Sequence, residues 1–498
     1  MSTTVPVDAP VVPLGAQVHD PVQAAIERAN TRQDQDHIFF GITRSTCPEC
    51  LALINAQILF RDGQVFMRKF CPEHGHFEAL MAADADWWLH ALSRTKPGTI
   101  PLWHATQRKT QCPEDCGLCD DHQQHTCYPL IEITDHCDLH CPICFARNQH
   151  AWYLSPEQMT FMLDRLAQAE GRAEIVCLTG GEPTVHPQFF ELLDIAINHP
   201  VATKVAVNTH GLRLARDEEF VRRIAETGAY IQLQFDGFKA ETYRRLRGAD
   251  LSKMKRLAFD HLAKYNVKTL LITTIAQDLN EDAVGETIRL VLENDFIHSL
   301  TLQPLIYCGD ALSNHLPHDM QRHITLTTIL NLLEAQMDGL MTKEDFVSIP
   351  CSHPSCSAVG YFLKAGPNDW VSLARITQAD KMLNYLQNRL LFNSEQWMRD
   401  LQSNLETLWS ASAVMESEKV GRALSCCAAA YAKDKTLVGM GKMIGVHGFM
   451  DPSTYDQSRA MKCCYHVLTT DGRMMPFCNY NIFHREKDMQ RRNALARA

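Results

Sequence analysis

The first twenty residues contain no lysine or arginine, so no positively charged segment of the kind that opens a secretory leader is present there. No apolar run in the 498 residues is long enough to span a bilayer. Basic residues are not in excess. Lys and Arg number 48 against 58 Asp and Glu, a formal net charge of −10, which argues against nucleic acid as the main partner. No internal repeat of solenoid period is visible. The expectation is a globular, cytoplasmic protein, with 45% hydrophobic residues to build its cores. The chain is too long for one ordinary core and suits a barrel-sized domain with smaller units attached.

Cysteine, by contrast, is abundant. There are nineteen, grouped in short motifs, and without an export signal they read as metal ligands rather than disulfides. Residues 1–36 read as a mobile arm. Residues 37–80 form a small unit: Cys47-Pro-Glu-Cys50 opens it, two apolar runs flank an Asp62-Gly63 hairpin signal, and Cys71-Pro-Glu-His74 closes it. Residues 81–127 are a connector ending in a second cysteine group. From Tyr128 to Pro304 strand-like and helix-like segments alternate. Strands are expected at 129–134, 174–179, 203–208, 230–235, 268–274 and 298–303, with helices at 156–168, 187–197, 216–226, 253–264 and 281–294. Six β-α units in series imply an α/β fold with a parallel sheet, open or curled into a partial barrel. Residues 305–484 form a C-terminal region with helical stretches near 324–341 and 380–409, then a compact unit at 440–484 holding an Asp471-Gly472 turn. A basic tail follows at 485–498.

Cys137-Asp-Leu-His-Cys141-Pro-Ile-Cys144 comes directly after the first expected strand. Three thiolates this close can hold three irons of a 4Fe–4S cluster and leave the fourth open for a ligand. Catalytic sites on parallel barrels form at these strand ends. After the second strand comes Gly180-Gly181-Glu182-Pro183, where glycines allow close backbone approach and Glu182 can accept from a cationic amino group. Asn208 follows on the third strand, Gln234 and Asp236 on the fourth, so polar side chains recur where one ligand could meet them. A structural zinc site or a plain ferredoxin-like cluster is the simpler alternative for the cysteines alone.

The Cys-x3-Cys-x2-Cys triad with Gly-Gly-Glu-Pro resembles the radical S-adenosylmethionine superfamily over about residues 128–304. The resemblance implies a partial (β/α)6 barrel, a catalytic 4Fe–4S cluster on Cys137, Cys141 and Cys144, and reductive cleavage of S-adenosylmethionine to a 5′-deoxyadenosyl radical. It further implies that Glu182 and the Gly180–Gly181 backbone hold the cofactor's amino group. Asn208, Gln234 and Asp236 are further candidate contacts. A reductase, ferredoxin or flavodoxin would supply electrons.

Other cysteines extend the pattern. Cys112, Cys116 and Cys119 repeat the triad spacing without a strand before them or a Gly-Gly-Glu-Pro after them, and read as an auxiliary cluster with Cys127 a candidate fourth ligand; zinc is the alternative. Cys47, Cys50, Cys71 and His74 read as a rubredoxin-like or zinc-ribbon knuckle. Cys351, Cys356, Cys464 and Cys478 could form a second auxiliary cluster, with Cys463 able to replace Cys464. Cys177, Cys308, Cys426 and Cys427 read as buried thiols. The whole layout, over about residues 38–484, resembles the tetraether lipid synthase group, some of whose bacterial relatives are known as pterin methyltransferases. That resemblance makes carbon–carbon bond formation on a lipid chain the first expectation. Radical methylation of a pterin-like heterocycle is the alternative, and a non-catalytic iron–sulfur carrier or sensor the third. Arg485, Lys487, Arg491, Arg492 and Arg497 in the tail are expected either at an anionic membrane surface or simply solvated.

Replacing Cys137, Cys141 or Cys144 by alanine is expected to abolish S-adenosylmethionine cleavage, read as 5′-deoxyadenosine released by anaerobically purified protein. Undiminished product from these variants would contradict the catalytic assignment.

Overall fold

The computed structural model describes residues 36–146, 152–314, 318–367, 369–403, 417–434 and 441–497. The expected arm, the last part of the 380–409 helical stretch and the side chains of Cys426 and Cys427 lie outside the described residues.

A four-stranded sheet of β1 (Ile38–Thr46), β2 (Leu53–Arg61), β3 (Gln64–Cys71) and β4 (Gly75–Ala82) is ordered as written. Its β2–β3 hairpin turns on Asp62 and Gly63, both at positive φ, as the Asp-Gly signal predicts.

The barrel strands are β5 (Tyr128–Thr134), β6 (Val176–Gly180), β7 (Val205–Thr209), β8 (Tyr230–Gln234), β9 (Thr269–Ile275) and β10 (Ile297–Pro304). Each neighbour pair is parallel, because a crossover helix returns the chain each time. Those helices include α1 (Pro156–Glu170), α2 (Phe189–Asn198), α3 (Glu218–Thr227), α4 (Ala240–Arg247), α5 (Ser252–Lys264) and α6 (Ala283–Glu293). Ser155 caps α1 in a reciprocal bond with Gln158, and Gly228 ends α3 in the left-handed conformation. Ile131, Leu178, Val207, Ile231, Leu271 and Leu300 face these helices and build the main core.

The sequence leads to six parallel strands, and the sheet has eight. β13 (Gly441–His447) adds parallel to β10 and β14 (Tyr465–Leu468) adds parallel to β5. β11 (Ser357–Gly366), β12 (Asp369–Ser372) and β15 (Met474–Pro476) complete it antiparallel. No periodicity in the sequence announces β13 or β14, because they come far from the β-α series and are placed by pairing.

The 485–498 segment is not a solvated arm. It is helix α7 (Arg485–Arg497), and it lays two buried guanidiniums against the inner face of β5. Arg485 bonds Glu132 at 2.6 Å, while Arg492 bonds Glu132 and Asp135 at 2.9 Å and Asp488 at 2.8 Å. Burial pushes the Glu132 carboxyl up, but the two arginines outweigh it and hold it at about 2. Arg491 is bound by Asp471 and Asp488, while Glu486, Lys487 and Gln490 point outward.

Arg492→Met would strand buried carboxylates with one cation, and is expected to cost roughly 3–5 kcal/mol in urea unfolding. Adding Glu132→Gln should restore part of the loss, while Lys487→Ala should cost almost nothing. Equal, small effects for Arg492→Met and Lys487→Ala would return the segment to a solvated tail.

Candidate active site and metal centres

The loop after β5 carries Cys137, Cys141 and Cys144, all partly exposed. The loop after β6 presses against its base. Gly181 N donates to Thr134 O at 2.7 Å and Glu182 N to His136 O at 2.8 Å. A Cβ on Gly180 would stand 2.3 Å from Thr134 O, and one on Gly181 2.2 Å from His136 O. Only glycines permit this approach, and it seats Glu182 beside Cys137.

Glu182 is 1% exposed. One carboxylate oxygen accepts from Thr184 N (3.1 Å), Thr184 Oγ1 (2.6 Å) and Thr209 Oγ1 (2.7 Å), and the other from His210 N (2.9 Å). His210 Nε2 reaches Asp138 at 2.7 Å. Glu182 therefore ties the loops after β5, β6 and β7 together, a role its place in the motif does not reveal. Asp236 differs from its expected part as a cofactor contact. It is fully buried, and Arg247 grips it through both oxygens at 2.7 and 3.0 Å, with Thr274 N at 3.1 Å. Asn208 and Gln234 do line the inner face of their strands, half-buried.

Sequence reading missed two cations. Arg247, at the end of α4, lies between Asp236 and Cys141. Lys255 on α5 is buried, with Nζ bonded to His210 O at 2.6 Å and Gln234 Oε1 at 2.7 Å, and burial lowers it to about 7. One signal was available: Lys255 shares the buried stripe of Ala258 and Leu262. The cysteine trio is matched by donors. Leu139 N points at Cys137 Sγ from 3.4 Å and Arg247 bears on Cys141, as thiolates holding a metal require. The residues present thus fit an iron–sulfur cluster.

In the small sheet, Cys47, Cys50, Cys71 and His74 place their ligand atoms within 4.8 Å of one another. His74 Nδ1 is 3.6 Å from Cys47 Sγ and 3.5 Å from Cys71 Sγ, a spacing that suits one tetrahedral ion.

Residues 131–291 match the family model of the Radical SAM superfamily, and residues 39–83 that of the HMPTM N-terminal zinc ribbon domain. The chain carries a radical SAM domain. It is similar to the 7,8-dihydro-6-hydroxymethylpterin dimethyltransferase of Methanocaldococcus jannaschii, 28% identical over 89% of this chain and 94% of that one. It is also similar to the GTP 3',8-cyclase of Clostridium perfringens, 24% identical over 36% of this chain and 56% of that one. Among solved structures, Streptococcus suis SuiB bound to precursor peptide SuiA aligns at a TM-score of 0.36 and 16% identity, over 44% of this chain and 47% of that one. The protein is an enzyme, and the radical SAM domain it carries implies a 4Fe–4S cluster, S-adenosylmethionine and a reductant.

The remaining cysteines of the radical SAM enzyme fall into three groups. Cys112, Cys116 and Cys119 act on one another and receive Asn479 Nδ2, 3.3 Å from Cys116 and 3.7 Å from Cys112. Cys127 does not join them. It stands at the foot of β5, where Cys127 N donates to Cys464 O at 2.9 Å, and its thiol adjoins Cys351 and Cys464. The expected set of Cys351, Cys356, Cys464 and Cys478 is likewise divided, since Cys356 and Cys478 face Cys463 instead. The β14–β15 pairing ends at His466 opposite Pro476 and does not reach Cys464 or Cys478, and consecutive residues entering a strand point to opposite sides. Cys463 thus takes the place of Cys464 on that side. Cys177 and Cys308 are buried thiols as read.

A Cys47→Ser/Cys50→Ser variant is expected to lose one metal atom per chain by elemental analysis, with iron and acid-labile sulfide kept. Unchanged metal content would reject the knuckle.

Proposed function

We propose that this enzyme methylates a carbon of a pterin-like heterocycle by radical chemistry, in the cytoplasm, with a ferredoxin, flavodoxin or reductase as electron donor. The inner surface of the barrel carries the reading. The half-buried residues of the barrel strands alternate with the fully buried ones that meet the helices, so they face inward. They include Thr179, Asn208, Gln232, Gln234, Thr274, Thr301 and Gln303, carboxamides and hydroxyls without charge, beside the apolar Leu270 and Ile272 of β9. Such side chains can both donate to and accept from the ring nitrogens and carbonyls of a flat heterocycle. A cavity of about 540 Å³, lined by Tyr230, Gln232, Leu270, Thr301, Tyr361 and Tyr465 among others, opens at the N-terminal end of these strands, opposite the cysteine loop, and so lies apart from the reacting end of the barrel. The printed activity of the Methanocaldococcus jannaschii relative, matched over almost its whole length, supports the same class.

Cys137, Cys141 and Cys144 would hold a 4Fe–4S cluster, which would supply the electron for reductive cleavage of S-adenosylmethionine and so the means of hydrogen abstraction from carbon. Gly180 and Gly181 hold the neighbouring backbone close to the cysteine loop. Arg247 keeps a fixed positive charge beside Cys141, and Asp236 keeps Arg247 in place. Asn208 and Gln234 present polar ends toward the lumen. The three further sulfur groups are proposed as auxiliary centres, with Cys127 grouped with Cys351 and Cys464.

Carbon–carbon bond formation on a lipid is the second reading. The apolar Leu270 and Ile272 on the inner face of β9 favour it. No helix among the described residues is long and apolar enough to cross a membrane.

Product analysis separates the two. Given a reduced pterin, the enzyme is expected to form S-adenosylhomocysteine and 5′-deoxyadenosine together with a methylated pterin. Deuterium passing from labelled acyl chains into 5′-deoxyadenosine, with no S-adenosylhomocysteine formed, would replace this reading with the lipid one.

A further inference from the structure

Arg459 is 6% exposed. Its Nε donates to Cys356 Sγ at 3.5 Å and its Nη2 to Gly448 O at 2.7 Å. No carboxylate lies within ion-pair distance of it among the described residues, and Asp456 acts on it only from farther away. Asp456 is itself occupied by Ser458 and Thr43. A buried guanidinium without an anion is costly, on the order of several kcal/mol, so a fold that keeps one supplies negative charge nearby. What Arg459 faces is a small cavity lined by Cys356, Cys463, Cys464 and Cys478. The other titratable wall, His447, is kept neutral by burial and then by Arg459 itself, at about 3. The half-buried Lys462 points away to Thr95. Thiols would leave Arg459 unbalanced. Thiolates on an iron–sulfur centre would balance it.

We propose that Arg459 is the fixed countercharge of the auxiliary centre held by Cys356, Cys463 and Cys478, and makes that centre the most easily reduced of the auxiliary set. This rests on the auxiliary-centre reading above. A cation beside the ligands stabilises the more negative, reduced state. Neither of the other two groups faces a buried arginine lacking a carboxylate, and Lys462, held by Thr95, acts on Cys351 and Cys356 alike. Asn479 and Tyr455 meet the Cys112 group as neutral donors. Arg473, near Cys116, is paired with Asp471 at 2.8 Å. The Cys127 group has His125 Nε2 at 3.5 Å and Gln124 Nε2 at 3.6 Å, and the Glu174 near it is paired with Arg389 at 2.7 Å. Arg459 is a positioning residue, acting through the centre it faces.

Stepwise dithionite reduction of the anaerobic full chain, followed by electron paramagnetic resonance, tests this. Cys356→Ala/Cys478→Ala identifies the signal; if it removes no iron or sulfide, no centre is there and the auxiliary reading itself fails. If iron and sulfide are lost, the missing signal is expected to be the first auxiliary signal reduced in the native protein. In Arg459→Met it should be reduced later than the others, and in Arg459→Lys first again. A native signal that is not first, or an order unchanged in Arg459→Met, overturns the proposal. Should Arg459→Met lose the centre, Arg459→Lys decides: reduced first as in the native protein supports it, reduced last overturns it.

Discussion

The barrel mouth depends on one close approach, that of the Gly180-Gly181-Glu182 loop to the backbone just before Cys137. Thr134 O and His136 O each accept an amide from this loop, in space that no side-chain-bearing residue would leave. Because Glu182 is thereby fixed beside Cys137, its carboxylate can gather Thr184, Thr209 and His210, and with them the ends of three strands. The loop after β10 repeats the constraint. Gly309, at φ +59, would place a Cβ 2.8 Å from Cys144 O, and Asp310 N donates to that oxygen at 2.7 Å. The three cysteines are therefore held by backbone contacts from both sides, and side chains such as Arg247 then set their charge environment.

Buried charge is the second theme. The inner face of β5 carries Glu132, which would be untenable without Arg485 and Arg492 delivered from the far end of the chain. Asp236 and Arg247 satisfy one another in the same way. The two pairs on Glu132 join segments 353 and 360 residues apart, so they act as registration devices for the C-terminal region as much as sources of stability. Arg459 departs from the pattern, having sulfur where the others have carboxylate.

Much of this was legible beforehand, and the reasons are local. The β-α alternation from Tyr128 to Pro304 fixes the crossover topology, and all six strands lie within a few residues of their expected positions. The Asp-Gly turns at 62–63 and 471–472 form as read. The knuckle was legible because its four ligands flank a single hairpin. What was not legible depended on distant pairing. β13 and β14 are short strands recruited by the sheet edges, and that recruitment moves Cys127 to Cys464. The tail was misread because charge composition alone does not show that Arg485 and Arg492 have buried acids to meet. Glu182 and Asp236 were identified as important, but their partners became visible only with the strand ends assembled.

The most direct test of the catalytic centre is the electron paramagnetic resonance spectrum of the reduced, anaerobic protein with and without S-adenosylmethionine. If Cys137, Cys141 and Cys144 leave one iron open to the cofactor, adding it should shift the g values of one cluster signal, and that signal should be missing from the triple alanine variant. A spectrum that S-adenosylmethionine leaves unchanged, or a shift that survives loss of all three cysteines, would contradict the assignment.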